Sequence, residues 1–267
     1  MASLPLVKIC GLQSVEAAQV ALDSGADLLG IILVPGRSRT IDTAVAQQIA
    51  QLVQRKRRKN AVASTKLIKT VNATYDENAD PDHVYFQTIA QALIHNGPYL
   101  VGVVQNQTIG LINKLAITIG LDFIQIHGKE SRSRASIAQY VVPVISRVVL
   151  TNDNLADLQR EQTLVEDNHL NLSLACTPRN HALVLMDSEV GGEGKTIDWS
   201  SCARFYELSK TKYILAGGLT PDNVQAALEE NSAGVLGVDV SGGVETDGKK
   251  DMRKIRQFVE NAKAWGK

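Results

Sequence analysis

Lys212-Tyr-Ile-Leu-Ala-Gly-Gly-Leu-Thr-Pro-Asp-Asn-Val224 and, one helix-length later, Gly237-Val-Asp-Val-Ser-Gly-Gly-Val244 decide how this chain is read. Two short apolar runs each end in a glycine pair, Gly217-Gly218 and Gly242-Gly243. Between them Pro221, followed by Val224, Ala227 and Leu228, predicts a helix with proline in its first turn, so the pattern is strand, helix, strand. Glycines at the carboxyl ends of neighbouring parallel strands let backbone N–H groups come close to an anion. The fold that sets such loops side by side after its last two strands is the (β/α)8 or TIM barrel, of the α/β class. The stretch therefore reads as a phosphate cradle. Paired glycines also mark plain tight turns, and it is the two pairs at one helix's separation that favour the cradle.

Outward from that stretch, composition agrees with the architecture. A chain of 267 residues that is 44% hydrophobic can fill one large core, so a single barrel domain over 1–267 is expected. Equal numbers of acidic and basic residues remove any electrostatic case for nucleic acid or an anionic membrane surface. The start lacks a basic leader with an apolar core, and no apolar run approaches the ~18 residues of a membrane span, so a cytoplasmic protein is expected. Cys10, Cys176 and Cys202 are odd in number and widely spaced, which argues against a disulfide framework or a four-ligand zinc site.

In chain order, Leu6 to Cys10 is strand 1, and Ser14 caps a helix reaching Ser24. Leu28 to Val34 is strand 2, with Pro-Gly-Arg-Ser-Arg as its loop. Asp42 caps the next helix, which ends in the basic run Arg55 to Lys59, a solvated helix end favoured by the dipole. Residues 60–97 break the rhythm and read as an insertion on the periphery, with a short strand at Leu67 to Val71 and a helix at Val84 to Ile94. Strand 3 is Tyr99 to Gln105, strand 4 Phe123 to His127, strand 5 Val144 to Val149 and strand 6 Ala182 to Asp187. Helices are expected at Ile109 to Ile119, Ser133 to Tyr140, Asn152 to Glu161, Trp199 to Leu208 and Met252 to Ala264, and 163–180 reads as a second peripheral insertion.

Active residues of such a barrel lie at the carboxyl ends of its strands. Successive strand residues face opposite ways, so parity sorts them. With Val7 and Ile9 toward the helices, Lys8 and Cys10 turn inward; likewise Gln125 and His127 on strand 4, and Asp239 and Ser241 on strand 8. Asp187 ends strand 6 at the mouth. Lys8 and Asp239, on adjacent strands, are expected to pair.

These residues resemble a known family. Val7-Lys-Ile-Cys-Gly-Leu12, Asp122-Phe-Ile-Gln-Ile-His-Gly128, Asp187-Ser188 with Gly191-Gly-Glu-Gly-Lys195 and Asp198-Trp199, Ala216 to Val224 and Gly237 to Glu245 together look like phosphoribosylanthranilate isomerase. The likeness spans the chain except for the two insertions. It implies an Amadori rearrangement in tryptophan biosynthesis, with no metal and no cofactor, acting on a small phosphorylated sugar-anthranilate. It further implies Cys10 as general base and Asp187 as general acid, with Arg39 on the anthranilate carboxylate and Arg37 as its neighbour. Gly217, Gly218, Gly242 and Gly243 would hold the phosphate, with Asp239, Ser241 and His127 in the pocket. A glycine loop of Gly191, Gly192 and Gly194 would fold over the ligand, with Glu193 where the family often has a small residue. A monomer is expected.

Three alternatives share parts of the pattern. A sibling isomerase of histidine biosynthesis runs the same rearrangement but is expected to carry aspartate where Cys10 stands. Indole-glycerol-phosphate synthase shares the phosphate site and has a longer segment before strand 1. A non-catalytic sugar-phosphate sensor would keep the cradle without needing Cys10 and Asp187.

Overall fold

A computed structural model describes residues 4–58, 61–76, 79, 81–150, 177–179, 181–187 and 199–265. Its eight parallel strands close in sequence order into a barrel: β1 (Leu6–Ile9), β2 (Leu28–Ile32), β3 (Tyr99–Val104), β4 (Phe123–Ile126), β5 (Val144–Val149), β6 (Leu183–Asp187), β7 (Tyr213–Leu215) and β8 (Val235–Val240). Each strand is an apolar run because helices cover its outer side. Among the described residues the helices are α1 (Val15–Asp23), α2 (Thr43–Lys56), α3 (Ser64–Thr74), α4 (Asp82–Asn96), α5 (Ile109–Ile119), α6 (Arg134–Ile137), α7 (Trp199–Ser209), α8 (Val224–Glu230) and α9 (Met252–Ala264). Ser14, Asp42, Thr108 and Asp251 cap α1, α2, α5 and α9 with their side-chain oxygens, as helix starts left with unpaired N–H groups require.

The two ends of the barrel differ. β1 and β2 stop at Ile9 and Ile32, short of the expected Cys10 and Val34, which leaves those residues to the loops at the carboxyl end. The helix expected from Pro221 begins at Val224 after a turn. Residues expected to form a short strand, Leu67 to Val71, are helical in α3. Leu67 and Val71 are both buried and stand one helical turn apart, and that spacing decides against the strand. α4 crosses the amino-terminal end, touching β1, β6 and β8. Its Phe86, Ile89 and Leu93 are fully buried in the same apolar cluster as the strands, so this insertion caps the foot of the barrel.

The basic end of α2 is spoken for structurally. Arg57 pairs with Asp122, donates to the Pro98 carbonyl and lies 4.6 Å over the Tyr99 ring, while Arg58 donates to the His95 carbonyl at 2.7 Å. The expected helix at 152–161 and nearly all of the insertion at 163–180 lie outside the described residues; at the end of that insertion, Arg179 donates to the Tyr75 carbonyl and lies over its ring.

Candidate active site

The carboxyl ends of the strands surround a cavity of about 750 Å³, within the range of small-molecule sites. Cys10, Arg39, His127, Asp187, Gly217, Gly218, Asp239, Ser241, Gly242 and Gly243 all line it, as does Arg37. Gly191, Gly192 and Gly194, and Glu193 among them, lie outside the described residues.

The β7–β8 side is backbone. Gly217 and Gly218 have φ of +83° and +68°, which side-chain-bearing residues rarely adopt. Gly243 passes so near the loop after β7 that a Cβ on it would stand 1.8 Å from the Leu219 carbonyl oxygen. Asn223 fixes the loop, accepting from the Thr220 N–H at 2.7 Å and donating to the Gly218 carbonyl at 3.0 Å. Among the described residues no acceptor takes the N–H of Gly217, Gly218, Gly242 or Gly243. Four such amides on one wall suit an anion with several oxygens.

Ionisable side chains flank that wall. Cys10 follows β1, is buried, and donates its N–H to the Val240 carbonyl at 2.8 Å. Below it Lys8 is fully buried and donates to Asp239 Oδ1 at 2.9 Å, as the parity of β1 and β8 predicts. Burial works against the Lys8 ammonium, but Asp239 and Cys10 more than offset it, so its pKa is raised. Asp187 ends β6 and accepts from Arg147 Nε at 2.8 Å. His127 Nδ1 is buried with no hydrogen-bond partner among the described residues. Burial, with Arg147 nearby, lowers the His127 pKa to about 4, so its ring is neutral near pH 7.

Several residues of the site escaped the sequence reading. Arg147 sits in the middle of β5, and the signal was there: a charged residue within a six-residue apolar strand. Gln125, which parity had already turned inward, has its Oε1 buried with no partner among the described residues. Arg39, expected to meet a ligand carboxylate, forks Nε and Nη2 onto Glu245 at 2.8 and 2.7 Å. Lys250 donates to the same Glu245 at 2.7 Å and to the Ser241 carbonyl at 2.8 Å. A small hairpin brings these together, β9 (Glu245–Thr246) against β10 (Lys249–Lys250). Asp247 and Gly248 turn it with φ of +52° and +74°, and an Asp-Gly pair between short runs is a readable hairpin turn.

Comparison with known proteins agrees with this geometry. The family model described as PRAI, N-(5'phosphoribosyl)anthranilate (PRA) isomerase, matches residues 56–261. N-(5'-phosphoribosyl)anthranilate isomerase of Komagataella pastoris is 44% identical, covering 97% of this chain and 100% of its own length. Its counterpart in Wickerhamomyces anomalus is 42% identical over 96% and 99%. The crystal structure of phosphoribosyl anthranilate isomerase from Thermotoga maritima superposes with a TM-score of 0.65 at 26% identity, covering 98% of this chain and 100% of that one. The family model takes in well over half of the chain and both yeast relatives run nearly its full length, so the chain belongs to the N-(5'-phosphoribosyl)anthranilate isomerase family.

Proposed function

We infer that this cavity carries out the reaction for which its family is named, converting N-(5-phosphoribosyl)anthranilate to 1-(2-carboxyphenylamino)-1-deoxyribulose 5-phosphate in tryptophan biosynthesis, with Asp187 as general acid and Cys10 as general base. The observation that carries the reading is that a carboxyl and a thiol, three strands apart around the ring, face one cavity whose wall between them is the four-amide cradle. With the phosphate on Gly217, Gly218, Gly242 and Gly243, the sugar lies between the two groups. Asp187 gives a proton to the ring oxygen as its bond to the anomeric carbon breaks, leaving an iminium. The proton on the next sugar carbon is then acidic, and the Cys10 thiolate removes it; the resulting enol becomes the ketone of the product. Acid and base act on different atoms, which their separation around the mouth suits.

Arg39 meets the anthranilate carboxylate in this reading, held in place by Glu245, and a planar guanidinium matches that partner. Asp239, Ser241 and neutral His127 contact the sugar. A monomer working in the cytosol, without metal or cofactor, completes the proposal; Cys10 and Cys202, neither of them in a disulfide, suit a reducing compartment. The test follows the fluorescence of phosphoribosylanthranilate as it is consumed by the purified chain, beside an assay on the aminoaldose of the histidine pathway. Turnover of the first and not the second is expected. Activity only on the second substrate, or on neither, contradicts the assignment.

A further inference from the structure

Beneath the floor of the cavity the barrel buries a cation that packing does not explain. Lys8 has no exposed surface, and its partner Asp239 stands directly beside it on the neighbouring strand. Holding an ammonium away from water is costly even when it is paired, and valine or leucine fills such a layer in most barrels. What lies above the pair is the thiol of Cys10, two residues on along the same side of the chain. Gly30 of β2 makes room for it, since a Cβ there would stand 2.7 Å from Cys10 Sγ. A second ammonium comes down from the hairpin: a Cβ on Gly11, the residue after Cys10, would stand 3.4 Å from Lys250 Nζ.

The charged groups facing the thiol come from each element packed around it. β1 supplies Lys8 and β8 supplies Asp239, the hairpin supplies Lys250 and Glu245, and the loop after β2 supplies Arg39, which Glu245 binds. β2 itself meets the thiol with Gly30 and no charge. Burial is the largest influence and leaves the Cys10 thiol raised on balance; Lys8 pulls it down, Asp239 pushes it up and Lys250 pulls it down.

We propose that Lys8 and Lys250 clamp the Cys10 thiol between two ammonium groups and so offset the burial that disfavours its ionised, proton-abstracting form, with Asp239 setting how much of the Lys8 charge the thiol feels. The proposal rests on Cys10 being the base, and it makes the two lysines positioning residues. In the step they serve, the thiolate takes the proton from the sugar carbon beside the iminium carbon. The C–H electron pair becomes the new carbon–carbon π bond, the iminium π electrons return to nitrogen, and both lysines keep their protons.

The experiment measures how fast iodoacetamide labels Cys10, followed by the mass of the peptide that carries it, across about pH 6 to 10. Lys8→Met and Lys250→Met should each move the labelling midpoint upward, by about one pH unit for Lys8→Met, which is about tenfold slower labelling at neutral pH. Asp239→Asn, which leaves the Lys8 charge uncompensated, should move the midpoint downward. A purely structural role predicts no such opposition of sign. Midpoints that do not move, or that move in one direction for all three variants, overturn the clamp. Should Lys8→Met fail to fold, the opposite shifts expected of Lys250→Met and Asp239→Asn decide the matter. Native turnover in Cys10→Ala would remove the base assignment and leave the labelling result standing, so the two failures are distinguishable.

Discussion

Among the described residues four largely buried aspartates pair with cations, two at the foot of the barrel and two at its mouth, and what each carboxylate faces separates them. Asp27 comes just before β2 and Asp122 just before β4. Asp27 Oδ2 accepts the Val7 N–H of β1 at 2.8 Å and Lys263 at 2.6 Å; Asp122 Oδ2 accepts the Leu100 N–H of β3 at 2.9 Å and is paired with Arg57. Each follows by two residues a left-handed glycine, Gly25 or Gly120, that ends the preceding helix. One device, written twice, ties the start of a strand to its neighbour. Asp187 and Asp239 instead take their cations from adjacent strands, Arg147 and Lys8, and both line the cavity. The same residue type in the same kind of pair thus holds the fold at one end and, in the proposed reaction, serves the chemistry at the other. Backbone bonding to the neighbouring strand marks the first use and cavity exposure the second.

That contrast breaks if mouth and foot variants fail alike. The largest effect is expected for Asp187→Asn, which should lower kcat by about 100- to 10,000-fold with KM changed little and thermal stability near native. Next, Gly218→Val should raise KM at least tenfold, because a residue with a side chain is strained at that φ and the cradle amides turn away; inorganic phosphate should compete with substrate in the native enzyme. The foot should do the opposite. Asp27→Ala and Asp122→Ala each leave a strand N–H and a cation unpaired and should cost about 2 kcal/mol in denaturant unfolding, with kcat per folded molecule unchanged. A foot variant that folds well and loses turnover would erase the distinction.

The smallest expected effect is one of pH. His127 has a folded pKa of about 4, below its ordinary value of 6.5, so between those two values the unfolded chain binds more protons. Stability should therefore rise with pH through that window and fall on acidification within it. His127→Asn should flatten this part of the stability profile, and an imidazole NMR titration should place the midpoint near 4. A midpoint near 6.5 would remove this contribution to the stability profile and contradict the effect of burial on His127.

Much of this was legible in the chain, for physical reasons that differ by region. Strand parity placed Cys10, His127 and Asp239 at the cavity because a barrel strand has only two sides, the end of strand 6 placed Asp187 there, and parity foresaw the Lys8–Asp239 pair. Capping chemistry found the starts of α1 and α2, at Ser14 and Asp42. Where the reading failed, the signal was short or indirect. Leu67 to Val71 is apolar and partly β-branched, and over five residues a strand and a helix stripe look alike until burial decides. Arg147 was passed over because it lies mid-strand; its long side chain climbs to Asp187, two positions beyond its own partner Leu185 on β6. Glu245 and Lys250 lie past the last strand, and only the hairpin turn at Asp247-Gly248 folds them back onto the loop that carries Arg39.

The mouth's claim to chemistry rests most directly on Cys10. Steady-state turnover of Cys10→Ala should be compared with that of Cys202→Ala, whose thiol is buried in α7 outside the cavity. Loss of at least about 100-fold in kcat for Cys10→Ala, with KM within a few-fold and folding intact, is the expected result, while Cys202→Ala stays near native. Near-native turnover in Cys10→Ala would contradict the account, even with the family and the fold unchanged.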